Sequence, residues 1–115
     1  MRRGELWLVD LEPVAGAGAN KVRPVVVVSN DAANRRATER GRGVVTVVPV
    51  TSNVSRALPF QTLLPDGTTG LGQPSKAQAE QVRSLEVDRF RTLLGRLPAE
   101  VLSGLDDALR LHLSL

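Results

Sequence analysis

Four consecutive valines, Val25 to Val28, follow directly on Arg23-Pro24 and end at Ser29-Asn30. A run that is apolar at every position has no face to offer water. It is also far shorter than the ~20 residues a membrane-spanning helix needs. The pattern therefore predicts a strand over 24–29 covered on both faces. Other short runs rich in β-branched and large apolar residues flank it: Glu5 to Leu11, Val44 to Thr51, Leu58 to Leu64, Ser75 to Gln81 and Phe90 to Arg96. Turn residues separate them, among them Pro13, Gly16 and Gly18 in a loop from Glu12 to Val22, the basic turn Arg40-Gly41-Arg42-Gly43, Asp66-Gly67, and the loop Gly70 to Pro74. Asn30 or Asp31 is placed to cap a short helix running through Arg36.

The period changes at the end of the chain. From Pro98, which suits a first helical turn, Val101, Leu102, Leu105, Ala108, Leu109 and Leu113 recur at helical spacing. Closely spaced strands followed by one amphipathic helix predict a mainly β fold, a small antiparallel barrel with a C-terminal helix. The 115 residues fit one domain, 1–115.

Charge is unevenly spread. The whole chain carries +3, but between Pro13 and Thr62 there are seven basic residues (Lys21, Arg23, Arg35, Arg36, Arg40, Arg42, Arg56) against the acids Asp31 and Glu39, a local net of +5. Such a stretch suits a polyanion, although a basic solvated surface explains it equally well on charge alone. Trp7, Phe60 and Phe90 are the only aromatic residues, too few for a binder built on base stacking.

Several chemistries are excluded or disfavoured. The absence of cysteine removes disulfides, thiolate nucleophiles and Cys-ligated zinc. Gly16 to Lys21 resembles a phosphate-binding loop, but Val22 stands where Ser or Thr would hold magnesium. Asp10 and Glu12 share a strand face, an arrangement more often solvated than metal-binding. Asp106 and Asp107 point in different directions from a helix and read as a solvated face. His112 is the only histidine, so no single chain supplies a two-histidine acid–base pair. The basic start Met1-Arg2-Arg3-Gly4-Glu5 lacks a signal-peptide core, and the expected location is the cytoplasm.

What remains is Arg23, held extended by Pro24, and the cluster Thr51-Ser52-Asn53 ending another strand. Strand ends on a rigid sheet fix side chains well. An ion pair on the surface would account for Arg23 and ordinary strand packing for Thr51.

At these residues the chain resembles the MazF/PemK family of toxin ribonucleases. The resemblance rests on Gly4-Glu5-Leu6-Trp7-Leu8-Val9-Asp10-Leu11 with Pro13 and Gly16, then on Arg23-Pro24-Val25-Val26-Val27-Val28-Ser29-Asn30. It continues through Val48-Pro49-Val50-Thr51, Leu58-Pro59-Phe60 and Glu80-Gln81-Val82-Arg83-Ser84-Leu85, with Arg89 and the strand ending near Gly95. It covers residue 3 to the end. Each motif is weak alone; their order and spacing are specific.

The resemblance implies an SH3-like barrel, also the fold of CcdB toxins, that assembles as a homodimer. It implies metal-independent, cofactor-free cleavage of single-stranded RNA, often messenger RNA, at short sequences. The catalytic arginine and threonine fall on Arg23 and Thr51. The 2′-hydroxyl attacks phosphorus and the 5′-oxygen leaves, giving 2′,3′-cyclic phosphate and 5′-hydroxyl ends. A fixed guanidinium meets the charge that builds on the phosphorane, and DNA, lacking the hydroxyl, resists. RNA contacts are expected from Lys21, Ser52, Asn53, Arg56, Glu80 and Gln81. The implied partner is a MazE-like antitoxin whose acidic, partly disordered segment orders across the basic groove. No membrane is implied, and DNA only through the antitoxin complex.

One departure stands out. Many relatives carry Gly-Ser-Glu in the first loop, where this chain has Gly16-Ala17-Gly18. The acceptor of the 2′-hydroxyl proton is then open among water, Glu80 and Arg23, an unfavourable base because arginine stays protonated in proteins. Two other readings fit the fold: a CcdB-like gyrase poison, and an inactive barrel that binds nucleic acid or antitoxin without cutting.

Overall fold

In a computed structural model, residues 1–11, 22–65, 67 and 69–115 are described. The valine run forms the middle of the sheet. Strand β1 (Glu5–Asp10) pairs antiparallel with β2 (Val22–Val27), and β2 with β3 (Val44–Thr51). Period-two alternation then splits the core in two. Leu6, Val26, Val48 and Val50 face one way, towards the C-terminal helix; Val9, Val25, Val27, Val45 and Val47 face the other, with Ala37 of the first helix, Trp7 and Phe90. Val25, Val26 and Val27 are all fully buried, as the unbroken apolar run requires. Each such side chain contributes about 1.5–3 kcal/mol by leaving water.

The first helix, α1 (Asp31–Arg40), is longer than the sequence suggests. Asn30 caps it, its side chain accepting from the Ala33 backbone N–H at 2.8 Å. Nothing stops it until Gly41 adopts the left-handed conformation that favours glycine, with φ +66°. It lacks an apolar stripe, which hid its length: the side chains it buries are those of Asn34 and Ala37. Asn34 is satisfied by Ser29, donating to its carbonyl at 2.9 Å.

Beyond β3 the strands are short. The run at 58–64 is a strand only as β4 (Gln61–Leu64), because Pro59 cannot donate to a ladder. The run at 75–81 divides into β5 (Ser75–Gln78) and a 3-10 turn at Ala79–Gln81. A strand not expected from sequence, β6 (Arg83–Glu86), pairs with the first half of β3, while β5 pairs with its end. Strand β7 (Phe90–Arg96) lies beside β1. The hydrogen-bonded path runs β4-β5-β3-β2-β1-β7, with β6 on β3. The loop between β4 and β5 approaches β7 through backbone: a Cβ on Gly70 would lie 2.4 Å from the Leu94 carbonyl oxygen, and one on Gly95 2.8 Å from that of Thr69. The result is a barrel-like antiparallel β fold whose ladder is not closed by hydrogen bonds between β4 and β7.

Helix α2 (Ala99–Leu113) begins just after Pro98 and packs Leu105 and Ala108 into the core, with Val101, Leu102 and Leu109 partly buried against it. Asp106 is not merely solvated. Arg3 reaches across to it at 2.7 Å and donates through Nε to the Val28 carbonyl at 2.8 Å, tying the N-terminus to α2. The ion pair is partly exposed and contributes about 0–1 kcal/mol. Asp107 makes an exposed pair with Arg110. His112 is exposed, its ring 6.4 Å from that of Phe60. Among the described residues no helix is long and apolar enough to cross a membrane.

Candidate active site

The ladder between β2 and β3 sets Val25 opposite Pro49. Continuing it by two residues brings Arg23 and Thr51 to the same level, at one end of two strands whose interiors are fully packed. Both line one cleft of about 210 Å³, together with Val22, Ser52, Gln73 and Ser75. Pro24 holds Arg23 extended, and the guanidinium is exposed. No described carboxylate lies within 4.0 Å of it.

Thr51 begins a local turn in which its Oγ1 accepts from the Asn53 backbone N–H at 3.2 Å. That bond uses an oxygen lone pair and leaves the hydroxyl proton free to donate into the cleft. Asn53 accepts through Oδ1 from the Ser55 N–H at 3.3 Å and the Ser55 hydroxyl at 2.7 Å, so its amide N–H groups stay available. The loop is held from below. Lys76, the cross-strand partner of Thr51, is 8 % exposed and donates through Nζ to the Arg56 carbonyl. The Arg56 side chain remains exposed above it.

The expected RNA-contacting residues thus divide. Ser52 lines the cleft, and Asn53 and Arg56 follow it on the same loop. Lys21 lies outside the described residues, as does the loop carrying Gly16-Ala17-Gly18. Glu80 and Gln81 do not line the cleft. They sit in the 3-10 turn that follows β5, four and five residues beyond Lys76. Glu80 accepts through Oε2 from Gln61 Nε2 at 2.8 Å, and Gln61 Oε1 accepts from the Leu58 N–H at 3.1 Å. Its carboxylate braces the far end of the loop, away from the Arg23–Thr51 pair.

Gln73 and Ser75 supply the opposite wall of the cleft, and Lys76 its buried support. Sequence reasoning passed over all three. Gln73 sits in a glycine-rich loop and Ser75 opens a four-residue strand, positions with no local signature of function.

Comparison with known proteins places the whole chain in one family. Residues 2–113 match the family described as PemK-like, MazF-like toxins of type II toxin–antitoxin systems. The chain is 58% identical over 115 residues to endoribonuclease MazF9 of Mycobacterium tuberculosis, covering 100% of this chain and 98% of the relative. Among solved structures it superposes on a MazE–MazF complex from Deinococcus radiodurans with TM-score 0.75 at 26% identity, covering 100% of this chain and 96% of that one. It has the fold of an endoribonuclease solved with its cognate antitoxin from a mycobacterial species, with TM-score 0.79 at 23% identity, covering 100% and 96% of the two chains.

Proposed function

The chain belongs to the family of PemK-like, MazF-like toxins of type II toxin–antitoxin systems, and from that membership we propose that it is an endoribonuclease that cuts single-stranded RNA in the Arg23–Thr51 cleft without a metal. The observation that carries this reading is the opening of Arg23, which has no described carboxylate within 4.0 Å, and of the Thr51 hydroxyl onto one cleft at the ends of two strands.

The chemistry follows from those two groups. The ribose 2′-oxygen attacks the adjacent phosphorus and its proton passes to water. Glu80 is engaged with Gln61 outside the cleft, and a guanidinium stays protonated. Negative charge gathers on the non-bridging oxygens, where Arg23 donates two hydrogen bonds and Thr51 one. The bond from phosphorus to the 5′-oxygen breaks, and that oxygen takes a proton from solvent. The products are a 2′,3′-cyclic phosphate and a 5′-hydroxyl. Asn53 and Arg56 meet the strand beside the scissile bond, Arg56 through phosphate, which sets affinity rather than sequence.

An antitoxin is the natural partner, consistent with the antitoxin-bound relatives of the same fold. Its acidic segment would neutralise Arg23 and Arg56, and a second copy of this chain would complete a homodimer. The test of the activity is incubation of the purified protein, in EDTA, with a long unstructured RNA and the matching DNA. Discrete cuts in RNA alone are expected. An intact RNA with folded, antitoxin-free protein would overturn the reading.

A further inference from the structure

At the opposite end of β1 from the cleavage cleft, three guanidinium groups converge on a second cleft of about 320 Å³. Arg2 comes from the segment before β1, Arg35 from α1 and Arg96 from the last residue of β7; Met1, Asp31 and Thr38 complete the wall. All three arginines are exposed, and among the described residues none has a carboxylate within 4.0 Å. Asp31 and Arg35 stand at the i, i+4 spacing of a helical ion pair, yet Asp31 Oδ1 instead accepts from the Arg3 backbone N–H at 2.7 Å. Three guanidinium groups thus share a cleft whose one carboxylate, Asp31, is engaged by the Arg3 backbone and ion-pairs with none of them, leaving a net positive charge. Their mutual repulsion is relieved by an anion, and the planar fork of arginine fits a phosphate with paired hydrogen bonds.

We propose that this cleft binds phosphate groups of the RNA strand beyond the segment held at the cleavage cleft. The inference rests on the ribonuclease reading above. The register of β1 supports the geometry: Val9 lies opposite Arg23 of β2 and Glu5 opposite Arg96 of β7, so the two sites are offset by four residues along β1, about 13 Å at ~3.3 Å per residue, and by two strand spacings across the sheet, about 10 Å. One extended oligonucleotide spans that distance. The lining favours phosphate over a peptide, because Met1 is its only apolar side chain. A peptide partner needs apolar anchors, which the separate groove of Val28, Val82, Leu109 and Leu113 offers instead.

The test compares the protein with its Arg35→Ser/Arg96→Ser variant on two RNAs sharing one cut site, a short one filling only the cleavage cleft and a long one extending past it. Cleavage of the short RNA by the parent protein checks the ribonuclease reading by itself. The variant is expected to cut the short RNA at the parent rate and to bind the long one at least about tenfold more weakly. Loss of two phosphate contacts should also lower the slope of log affinity against log salt by about 1.4. An Arg42→Ser/Arg110→Ser control, which removes the same charge elsewhere, should change neither. Equal affinity of variant and parent for the long RNA would overturn the proposal, as would an equal loss in the control or on the short RNA. So would a variant that loses binding to polyglutamate or inorganic pyrophosphate while keeping its hold on long RNA.

Discussion

The two ends of β1 and its neighbours both present arginine without a described carboxylate partner, yet they are built differently. At one end a single arginine, fixed by Pro24 and fully packed strands, meets the hydroxyls of Thr51, Ser52 and Ser75 in a cleft braced from below by Lys76. At the other, three arginines from the segment before β1, from α1 and from β7 gather with the single hydroxyl of Thr38 and the carboxylate of Asp31. Bond breaking requires donors fixed where charge develops; holding a polyanion requires charge and little else. The difference in construction separates a site suited to chemistry from one suited to grip.

Substitutions that exchange those properties should break the comparison if it is wrong. Arg23→Ala removes the fixed donor and should lower the single-turnover cleavage rate by roughly 10²–10³, with RNA binding little changed; a fluorescence-quenched RNA reports the rate. Thr51→Ala removes one hydrogen bond and should cost about tenfold in the same assay. Lys76→Met releases the loop at Arg56. A gel-shift titration should find RNA bound a few-fold more weakly, on the scale of about 1 kcal/mol for one hydrogen bond, with a smaller change in rate. Glu80→Gln should leave the rate at saturating RNA within a small factor, because its carboxylate braces Gln61 rather than facing the cleft; a collapse of that rate would return Glu80 to the role of base. At the foot of the scale, EDTA should change nothing in the rate, and a strong loss would mean that a metal takes part.

The sequence made the sheet's centre legible because the forces there are local. Val25, Val26 and Val27 are hidden together in one strand, with Val28 partly buried just past its end, and α2 carries its apolar stripe openly. The failures share a cause in long-range pairing. β6 exposes Arg83, Ser84 and Glu86 and buries only Leu85, so its strand character comes from the partner edge of β3. α1 buries an asparagine where an apolar residue would have marked its face. The cleavage pair could be picked out because Arg23-Pro24 and Thr51 each end a readable strand and match a family pattern. Gln73 and Ser75 reach the cleft only through the fold. The second arginine cleft, drawn from positions 2, 35 and 96, has no sequence pattern at all.

The central claim is that the Arg23–Thr51 cleft drives attack by the substrate's own 2′-hydroxyl. Its most direct test is to map the ends of an RNA cut in EDTA and repeat the reaction with a single 2′-deoxy nucleotide at the cut site. The account predicts 2′,3′-cyclic phosphate and 5′-hydroxyl ends, with cleavage abolished at the deoxy position and retained elsewhere. Cutting at the deoxy position, or 3′-hydroxyl and 5′-phosphate ends, would contradict it.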